Sequence, residues 1–437
     1  MSILTFKGGI HPKDGKALSK AKPIKTLTPK GEIVIPLSQH IGAPATPCVE
    51  VGDRVLVGQK IGEAAGFISA NIHSSVSGTV KKIEPRQIAN GSMVNCVIIE
   101  NDDSYEEYLW EQKDYEEMSK EDIRAAIKEA GIVGMGGAGF PTNVKLTPKD
   151  DDKIEYVIVN GAECEPYLTS DYRRMIEEPE VLIEGLKIVL SLFKNAKGII
   201  AIEDNKLDAI VNLKKLTRNE SNIEVKGVYT KYPQGGERAL IYAITGREVN
   251  SSMLPADVGC VVNNVDTMFA IYYAVINSKS LYSRVVTVTG DAVVEPGNFI
   301  VPIGTSFNEV IEAAGGFKKT PEKIIAGGPM MGTAVFTTDI PITKGTSAIL
   351  AFKKDQVAIS KASACINCGK CLEVCPGRVM PSRLATMAEH GDREGFIENF
   401  GMECCECGCC SYICPAKRNL TQSIKSMRKD ILASRKK

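Results

Sequence analysis

The chain has 437 residues, enough for several domains, and its composition is that of a folded protein: 43% hydrophobic and 24% charged. Lysine plus arginine equals aspartate plus glutamate at 53 each, which argues against nucleic acid as a partner. No apolar run reaches the length needed to span a bilayer, and the start, Met1-Ser-Ile-Leu-Thr-Phe-Lys, lacks the apolar core of a secretory signal. The expectation is a soluble or peripheral protein whose 14 cysteines sit in a reducing compartment.

Residues 1–105 alternate short apolar strands with Gly and Pro: Glu32-Ile-Val-Ile35, Val55-Leu-Val57, Gly78-Thr-Val-Lys-Lys-Ile83 and Val94-Asn-Cys-Val-Ile-Ile99. This predicts a small all-β domain. The stretch Val51-Gly-Asp-Arg-Val-Leu-Val-Gly-Gln-Lys-Ile61, with Ser77-Gly-Thr-Val-Lys, resembles the barrel-sandwich hybrid fold of biotinyl and lipoyl carriers. The carriers' central lysine has no counterpart in Phe67-Ile-Ser-Ala-Asn-Ile-His73, so the domain reads as a structural or docking module. His40 and His73 are isolated and read as ordinary polar residues. Two phrases, Phe6-Lys-Gly-Gly-Ile-His-Pro12 and Gln39-His-Ile-Gly-Ala-Pro-Ala45, resemble the N-terminal domain of the RnfC family, the C subunits of a bacterial membrane-bound electron-transport complex, Rnf.

Residues 106–275 form the second predicted domain, entered through an acidic, aromatic linker with Trp110. Ser119 and Asp122 fit a capping box, with Ile123, Ala126, Ile127 and Ala130 on one helix face and Gly131 at its end. Gly134-Met-Gly136-Gly137-Ala-Gly139-Phe140-Pro141-Thr142 follows a helix rather than a strand, so it is not an ordinary dinucleotide fingerprint. It reads as a loop whose backbone N–H groups close on a phosphate or a flat ring, or as a tight interdomain turn. Strands at Glu155-Tyr-Val-Ile-Val159, Gly198-Ile-Ile-Ala-Ile202 and Glu224-Val-Lys-Gly-Val-Tyr229 alternate with helices, which predicts a Rossmann-like α/β sheet with functional loops at the strand ends. Those loops are Asn160-Gly-Ala-Glu163-Cys-Glu165-Pro166 and Tyr232-Pro-Gln-Gly235-Gly236-Glu237, followed by Asn263-Asn264-Val-Asp266-Thr267.

Together these four segments resemble the flavoprotein subunit of respiratory complex I, which binds FMN and NADH. The resemblance implies that Gly134, Gly136, Gly137 and Lys145 line the FMN phosphate and ring, with Asn160, Glu163, Tyr232, Gly235, Asn263, Asn264 and Thr267 completing the flavin site. It implies that Phe140 and Glu165 face the nicotinamide nucleotide. Met135, Ala162 and Gly236 depart from the family pattern at polar contacts to nucleotide and flavin, which removes more of the implied NAD(H) contacts than of the flavin ones.

Residues 283–352 read as strand, turn, strand, helix and return strand: Arg284-Val-Val-Thr-Val-Thr289, Asn298-Phe-Ile-Val-Pro302, a helix capped by Ser306, and Ile324-Ile-Ala-Gly-Gly328. This order resembles the SLBB β-grasp domain; such domains can bind ligands, and here the favoured reading is a packing spacer between flavin and clusters.

Residues 353–437 hold two copies of C-x2-C-x2-C-x3-C-P: Cys365, Cys368, Cys371, Cys375-Pro376, and Cys404, Cys407, Cys410, Cys414-Pro415. Three thiolates on a tight loop cap one face of a cubane, and the cysteine before the proline ligates the other cluster. The predicted ligand sets are therefore Cys365, Cys368, Cys371 and Cys414 for one [4Fe–4S] cluster, and Cys404, Cys407, Cys410 and Cys375 for the second. Cys405 and Cys409 fall off this register; Cys48, Cys96, Cys164 and Cys260 read as buried fillers. Helical patterns between and after the runs predict a helical, ferredoxin-like two-cluster domain. Its tail carries Ile424, Met427 and Ile431 on one face among Lys425, Arg428, Lys429, Arg435, Lys436 and Lys437, and reads as a docking helix for a partner or membrane or as a solvated helix.

Domain by domain, the resemblance to the RnfC family covers nearly the whole chain. It implies a peripheral member of the Rnf complex on the cytoplasmic face of the bacterial inner membrane. Hydride would pass between NAD(H) and FMN, and single electrons through two [4Fe–4S] clusters to or from integral membrane and flavin-bearing partner subunits, with ferredoxin reached through the complex. Two alternatives stay open: a flavin and iron–sulfur cobalamin reductase, from which the two N-terminal phrases set this chain apart, and a non-enzymatic electron conduit.

Overall fold

The computed structural model describes residues 4–111 and 113–434. Two small antiparallel sheets form the barrel. One orders Glu32–Pro36, Met93–Asn101, Gly78–Gln87 and Arg54–Val55; the other orders Thr46–Pro47, Lys60–Glu63 and Ile72–His73. Strand alternation puts Ile33, Ile35, Val80, Val97 and Ile99 into the shared core with Ile61 and Ile72. The strand expected over residues 55–57 stops at Val55, because Leu56 N–H is taken by the Gln59 side chain at 2.9 Å. The acidic stretch after the barrel is packed rather than loose: Arg54 reaches Asp102 at 3.2 Å and Glu106 at 3.0 Å, and Tyr105 and Trp110 lie against the core.

Residues 4–26 leave the barrel altogether. Leu4 bridges to Val228, Ile10 bridges to Tyr232, and Ile24–Thr26 adds an edge strand to a distant sheet.

The α/β unit is a four-stranded parallel sheet ordered Ile223–Val228, Lys197–Glu203, Tyr156–Gly161 and Cys260–Asn264. Its strands are near-continuous apolar runs because helices cover both faces. Tyr156–Gly161, the first of these four along the chain, lies inside the sheet; the next two extend it one way and the last extends it the other. The loops after Gly161 and Asn264 therefore part at a switch point, where open α/β sheets leave a crevice. Helix Lys120–Glu129 begins in the expected capping box, with Ser119 and Asp122 exchanging bonds.

The third unit is a six-stranded sheet ordered Ile24–Thr26, Gly297–Pro302, Ser283–Thr289, Ala348–Phe352, Lys323–Ala326 and Thr333–Val335. Helix Phe307–Ala313, capped by Ser306, packs Phe307 and Val310 onto Val286, Val288 and Phe299.

The last unit is helical: Lys370–Glu373, Pro381–Glu389, Arg393–Glu398, Cys409–Ile413 and Leu420–Ser434. The apolar face of Leu420–Ser434 is not free for docking. Leu420, Ile424, Met427 and Ile431 are buried with Leu384, Ala385 and Phe396, because a unit this small needs that face for its own core. Arg435, Lys436 and Lys437 lie outside the described residues. Among the described residues, no helix is long and apolar enough to cross a membrane.

Candidate flavin and iron–sulfur sites

The glycine loop closes on itself as a narrow hairpin: Gly134 N–H donates to the Phe140 carbonyl at 2.9 Å and Thr142 N–H to the Ile132 carbonyl at 2.9 Å. Gly136, Gly137 and Ala138 stay exposed at its tip. The loop rests on the start of helix Val265–Asn277. Met135 N–H donates to the Thr267 hydroxyl at 3.2 Å, and a Cβ on Gly136 would stand 2.9 Å from the Asn264 Cβ. The glycine loop and the loops carrying Asn160, Gly235 and Asn264 thus meet at the switch point. Asn160 donates to the Gly235 carbonyl at 2.8 Å, Asn264 donates to Asp171 at 2.6 Å, and Lys145 donates to the Val262 carbonyl at 2.8 Å and pairs with Glu237 at 3.6 Å. Among the described residues, both polar atoms of the buried Asn263 amide lack a partner, as do Thr142 Oγ1 and Gln234 Nε2. Unpaired buried polar atoms are costly unless a ligand takes them up, and an exposed glycine hairpin beside them suits a flat, phosphate-bearing group. The residues fit FMN.

The carboxylates of the second loop are held by the protein. Glu163, buried and at φ +47°, accepts from Asp171 N–H at 2.8 Å. Burial beside Glu163 and Asp266 pushes the Asp171 carboxyl up to about 7. Glu165 accepts from the N–H groups of Met330 and Met331 at 3.1 and 2.9 Å, and burial raises its carboxyl to about 7. Its carboxylate is turned onto the loop between Lys323–Ala326 and Thr333–Val335 of the six-stranded sheet, whereas Phe140 is half-buried in the glycine hairpin.

Several residues that carry no sequence motif complete this region. Lys16, fully buried, donates to the carbonyls of Glu163 at 2.9 Å, Glu165 at 3.0 Å and Leu168, and lies 3.7 Å from the Glu163 carboxylate. Lys206 donates to the Ala162 carbonyl at 2.7 Å. Arg174 pairs with Asp266 at 3.2 Å, and Arg284 lies 3.9 Å from Asp266 and donates to the Met135 carbonyl at 3.4 Å. The family phrase at residues 6–12, just upstream, is the one sequence signal near Lys16; Arg284 sits in a strand where nothing local marks it.

The two cysteine runs share one backbone. Asn367 and Glu406, each just before a second cysteine, have φ +55° and +56°. Arg378 and Lys417, each three residues after a fourth cysteine, have φ +55° and +54°. Asn367 N–H points at Cys365 Sγ (3.5 Å) and Glu406 N–H at Cys404 Sγ (3.4 Å), contacts of the N–H···S kind that iron–sulfur ligands generally receive. Each run meets the other's proline segment: Ser363 N–H donates to the Ala416 carbonyl at 2.9 Å, and a Cβ on Gly377 would meet the Glu403 carbonyl oxygen at 3.1 Å. Cys375, Cys404, Cys407 and Cys410 line a single cavity, with Cys405 and Cys409 also on its wall. Cys365 and Cys368 are exposed, and Cys371 and Cys414 half-buried. Burial pushes the Cys404 thiol up to about 12, so ligation there displaces a proton. Among the described residues, no three His, Cys, Asp or Glu side chains already stand in a coordinating arrangement; Cys410 instead lies 3.4 Å from the Thr421 hydroxyl. The thiol set and its spacing fit [4Fe–4S] ligation.

Tyr232 joins the two regions. Its ring is buried and its hydroxyl donates to the Cys407 carbonyl at 2.8 Å.

Residues 127–273 match the Nuo51 FMN-binding domain, residues 4–104 the RnfC barrel sandwich hybrid domain, and residues 285–334 the SLBB domain. The chain is 46% identical over 435 residues, 99% of its length and 98% of the relative's, to the C subunit of a Na(+)-translocating ferredoxin:NAD(+) oxidoreductase complex of Acetobacterium woodii. The chain belongs to the RnfC family. A second RnfC relative, from Clostridium ljungdahlii, is the C subunit of a proton-translocating ferredoxin:NAD(+) oxidoreductase complex, 45% identical over 89% of this chain and 85% of its own. Among solved structures, a NAD+-reducing [NiFe]-hydrogenase in the air-oxidised state superposes with a TM-score of 0.52 at 22% identity, covering 72% of this chain and 61% of that one, which shows a shared fold. This RnfC chain thus joins an FMN-domain fold, an SLBB domain and a cysteine-rich helical end, and it is of the oxidoreductase class.

Proposed function

We propose that this RnfC chain is the peripheral NAD(H)-side module of an ion-translocating ferredoxin:NAD+ oxidoreductase, on the cytoplasmic face of the membrane with the other Rnf subunits as partners. The family membership supports this reading, and the observation that carries it is the contact between its two candidate sites through Tyr232 and Cys407. FMN held there would supply the conversion between hydride exchange with nicotinamide (NADH + H+ + FMN ⇌ NAD+ + FMNH2) and the single electrons that [4Fe–4S] clusters carry, its two protons going to solvent as the electrons leave.

The chain's residues bind and orient. Gly134, Gly136 and Gly137 would give backbone room to the flavin phosphate and ring, Lys145 a cation, and Asn263 an otherwise unpaired buried amide. Asn160, Gly235 and Asn264 hold the walls of that site through the bonds already described. Phe140 is proposed to stack on the nucleotide. Cys365, Cys368, Cys371 and Cys414 would hold one cluster; Cys375, Cys404, Cys407 and Cys410 the other, in a ferredoxin-like helical unit.

A second reading, an electron conduit without a working nucleotide site, draws on Glu165, whose carboxylate the Met330 and Met331 N–H groups already occupy. The test is anaerobic reconstitution with FMN, iron and sulfide, then titration with NADH under absorbance and EPR. Flavin bleaching followed by reduction of two clusters supports the proposal. Clusters that dithionite reduces and NADH does not would sink it in favour of the conduit.

A further inference from the structure

The phrase at residues 6–12 makes its backbone bonds outside the barrel that follows it in the chain. It runs between the α/β unit and the cysteine runs. Gly9 N–H donates to the Val374 carbonyl at 2.9 Å, next to Cys375. Ile10 and Tyr232 exchange both backbone bonds, at 2.8 and 2.9 Å. The Tyr232 hydroxyl then reaches the Cys407 carbonyl at 2.8 Å. This is one continuous set of bonds, and both ends sit at thiols of the second ligand set.

The approach is close enough to exclude any side chain. Gly8 and Gly9 have φ +83° and +85°. A Cβ on Gly8 would lie 3.0 Å from the carbonyl oxygens of Val374 and Cys375, and one on Gly9 would lie 2.9 Å from the Tyr232 carbonyl oxygen. Lys231 secures the segment by donating to the Gly8 carbonyl at 3.0 Å and to the Phe6 carbonyl, its ammonium 4.0 Å from the centre of the Phe6 ring. Ile10, Tyr232, Cys407 and Cys409 are buried together as one apolar cluster, with Cys164, Met330 and Val374 against it. Cys365 and Cys368 of the first ligand set are exposed instead.

We propose that residues 6–12 and Tyr232 form a clasp that sets the second cluster site, Cys375, Cys404, Cys407 and Cys410, against the flavin loops, so that this site and not the first exchanges electrons with the flavin. The proposal rests on the flavin and two-cluster reading above. Tyr232 and Lys231 are positioning residues: they act through the Cys407 and Val374 carbonyls and through the placement of the segment.

The test uses the full chain reconstituted with FMN, iron and sulfide, with the flavin reduced by light and EDTA so that the nucleotide site plays no part. Cys365→Ser, which removes one ligand from the first site, assigns the two EPR signals. In Tyr232→Phe, reduction of the second-site cluster by flavin should slow by roughly tenfold, since small misplacements of reacting groups carry penalties of that order or more. The midpoint potential and EPR line shape of that cluster should shift while those of the first stay as in the parent. Lys231→Met, which frees the segment without touching a candidate ligand, should move the same signal the same way. Unchanged rates and spectra in both variants, or equal changes in both clusters, overturn the clasp. A parent chain that takes up no flavin or forms no clusters sinks the underlying functional reading before any variant is made, so the two failures are distinguishable.

Discussion

At the scale of single residues, the candidate flavin site is a matter of space and protonation. Gly136 lies against Asn264, and a methyl group there would stand 2.9 Å from its Cβ. Gly136→Ala should lower stability by about 1–3 kcal/mol and weaken FMN retention, read by thermal unfolding and by flavin fluorescence after desalting. Glu165 makes a pH prediction. Its folded value, about 7, is raised from the ordinary 4.5, so the folded chain binds more protons between those limits. Its contribution to stability is full below about 4.5 and is lost as pH rises through about 7. Glu165→Gln removes the buried charge and keeps one acceptor oxygen, so one of the Met330 and Met331 N–H groups faces the amide NH2 at every pH. Measured against the parent, the variant should gain about 2 kcal/mol between about pH 5 and pH 8, as read by denaturant unfolding at both pH values. A gain independent of pH would mean that burial does not hold this carboxyl up.

At the scale of elements, the helix Leu420–Ser434 ties the cysteine loops together. Ile424 is fully buried and also lines the cavity of the second ligand set. Arg428 bonds to Glu406, the residue whose N–H faces Cys404 Sγ. Ile424→Ala should cost about 2–5 kcal/mol, as buried Ile-to-Ala changes do, and should lower iron bound per chain. Its affinity for anionic vesicles should match that of the parent, because the apolar face it alters already points inward. Weakened vesicle binding with normal iron content would restore the docking reading of this helix.

At the scale of the whole molecule, residues 4–26 staple three units. Beyond the clasp at residues 6–12, Lys16 pins the carbonyls of residues 163, 165 and 168, Ser19 meets the Thr169 hydroxyl at 2.8 Å, and Ile24–Thr26 extends the β-grasp sheet. Burial pushes the Lys16 ammonium below its ordinary range, and the nearby Glu163 carboxylate opposes that shift. Lys16→Met leaves the Glu163 charge and three carbonyls without their partner. It should cost about 3–5 kcal/mol and loosen FMN binding, though residue 16 lies in a different segment from every predicted flavin residue. Calorimetry and flavin titration on the full chain check both; a loss under about 1 kcal/mol would show that the segment is not a structural staple.

What was legible in the sequence is what short-range geometry determines. Cysteine spacing confines three thiols to one loop, and both copies prove to share the same left-handed positions. Glycines at 134, 136 and 137 announce a loop that needs backbone room, and apolar runs ending in polar loops announce a parallel sheet with its site at the strand ends. Family phrases at residues 6–12 and 39–45 pointed to the right family without revealing what the residues touch. Only the tertiary structure decided the rest. Arg284 reads as an ordinary strand residue until the fold buries it beside Asp266. Glu165 meets two N–H donors at Met330 and Met331, far along the chain, and the tail helix reads as amphipathic whether its apolar face meets a membrane or its own domain. Tyr232 and Cys407 stand 175 positions apart, and no pattern of residue types encodes a hydrogen bond between them. Local spacing specifies ligand loops and strands because covalent geometry is short-range. Which loops meet is settled by how four separate units bury their apolar faces against one another.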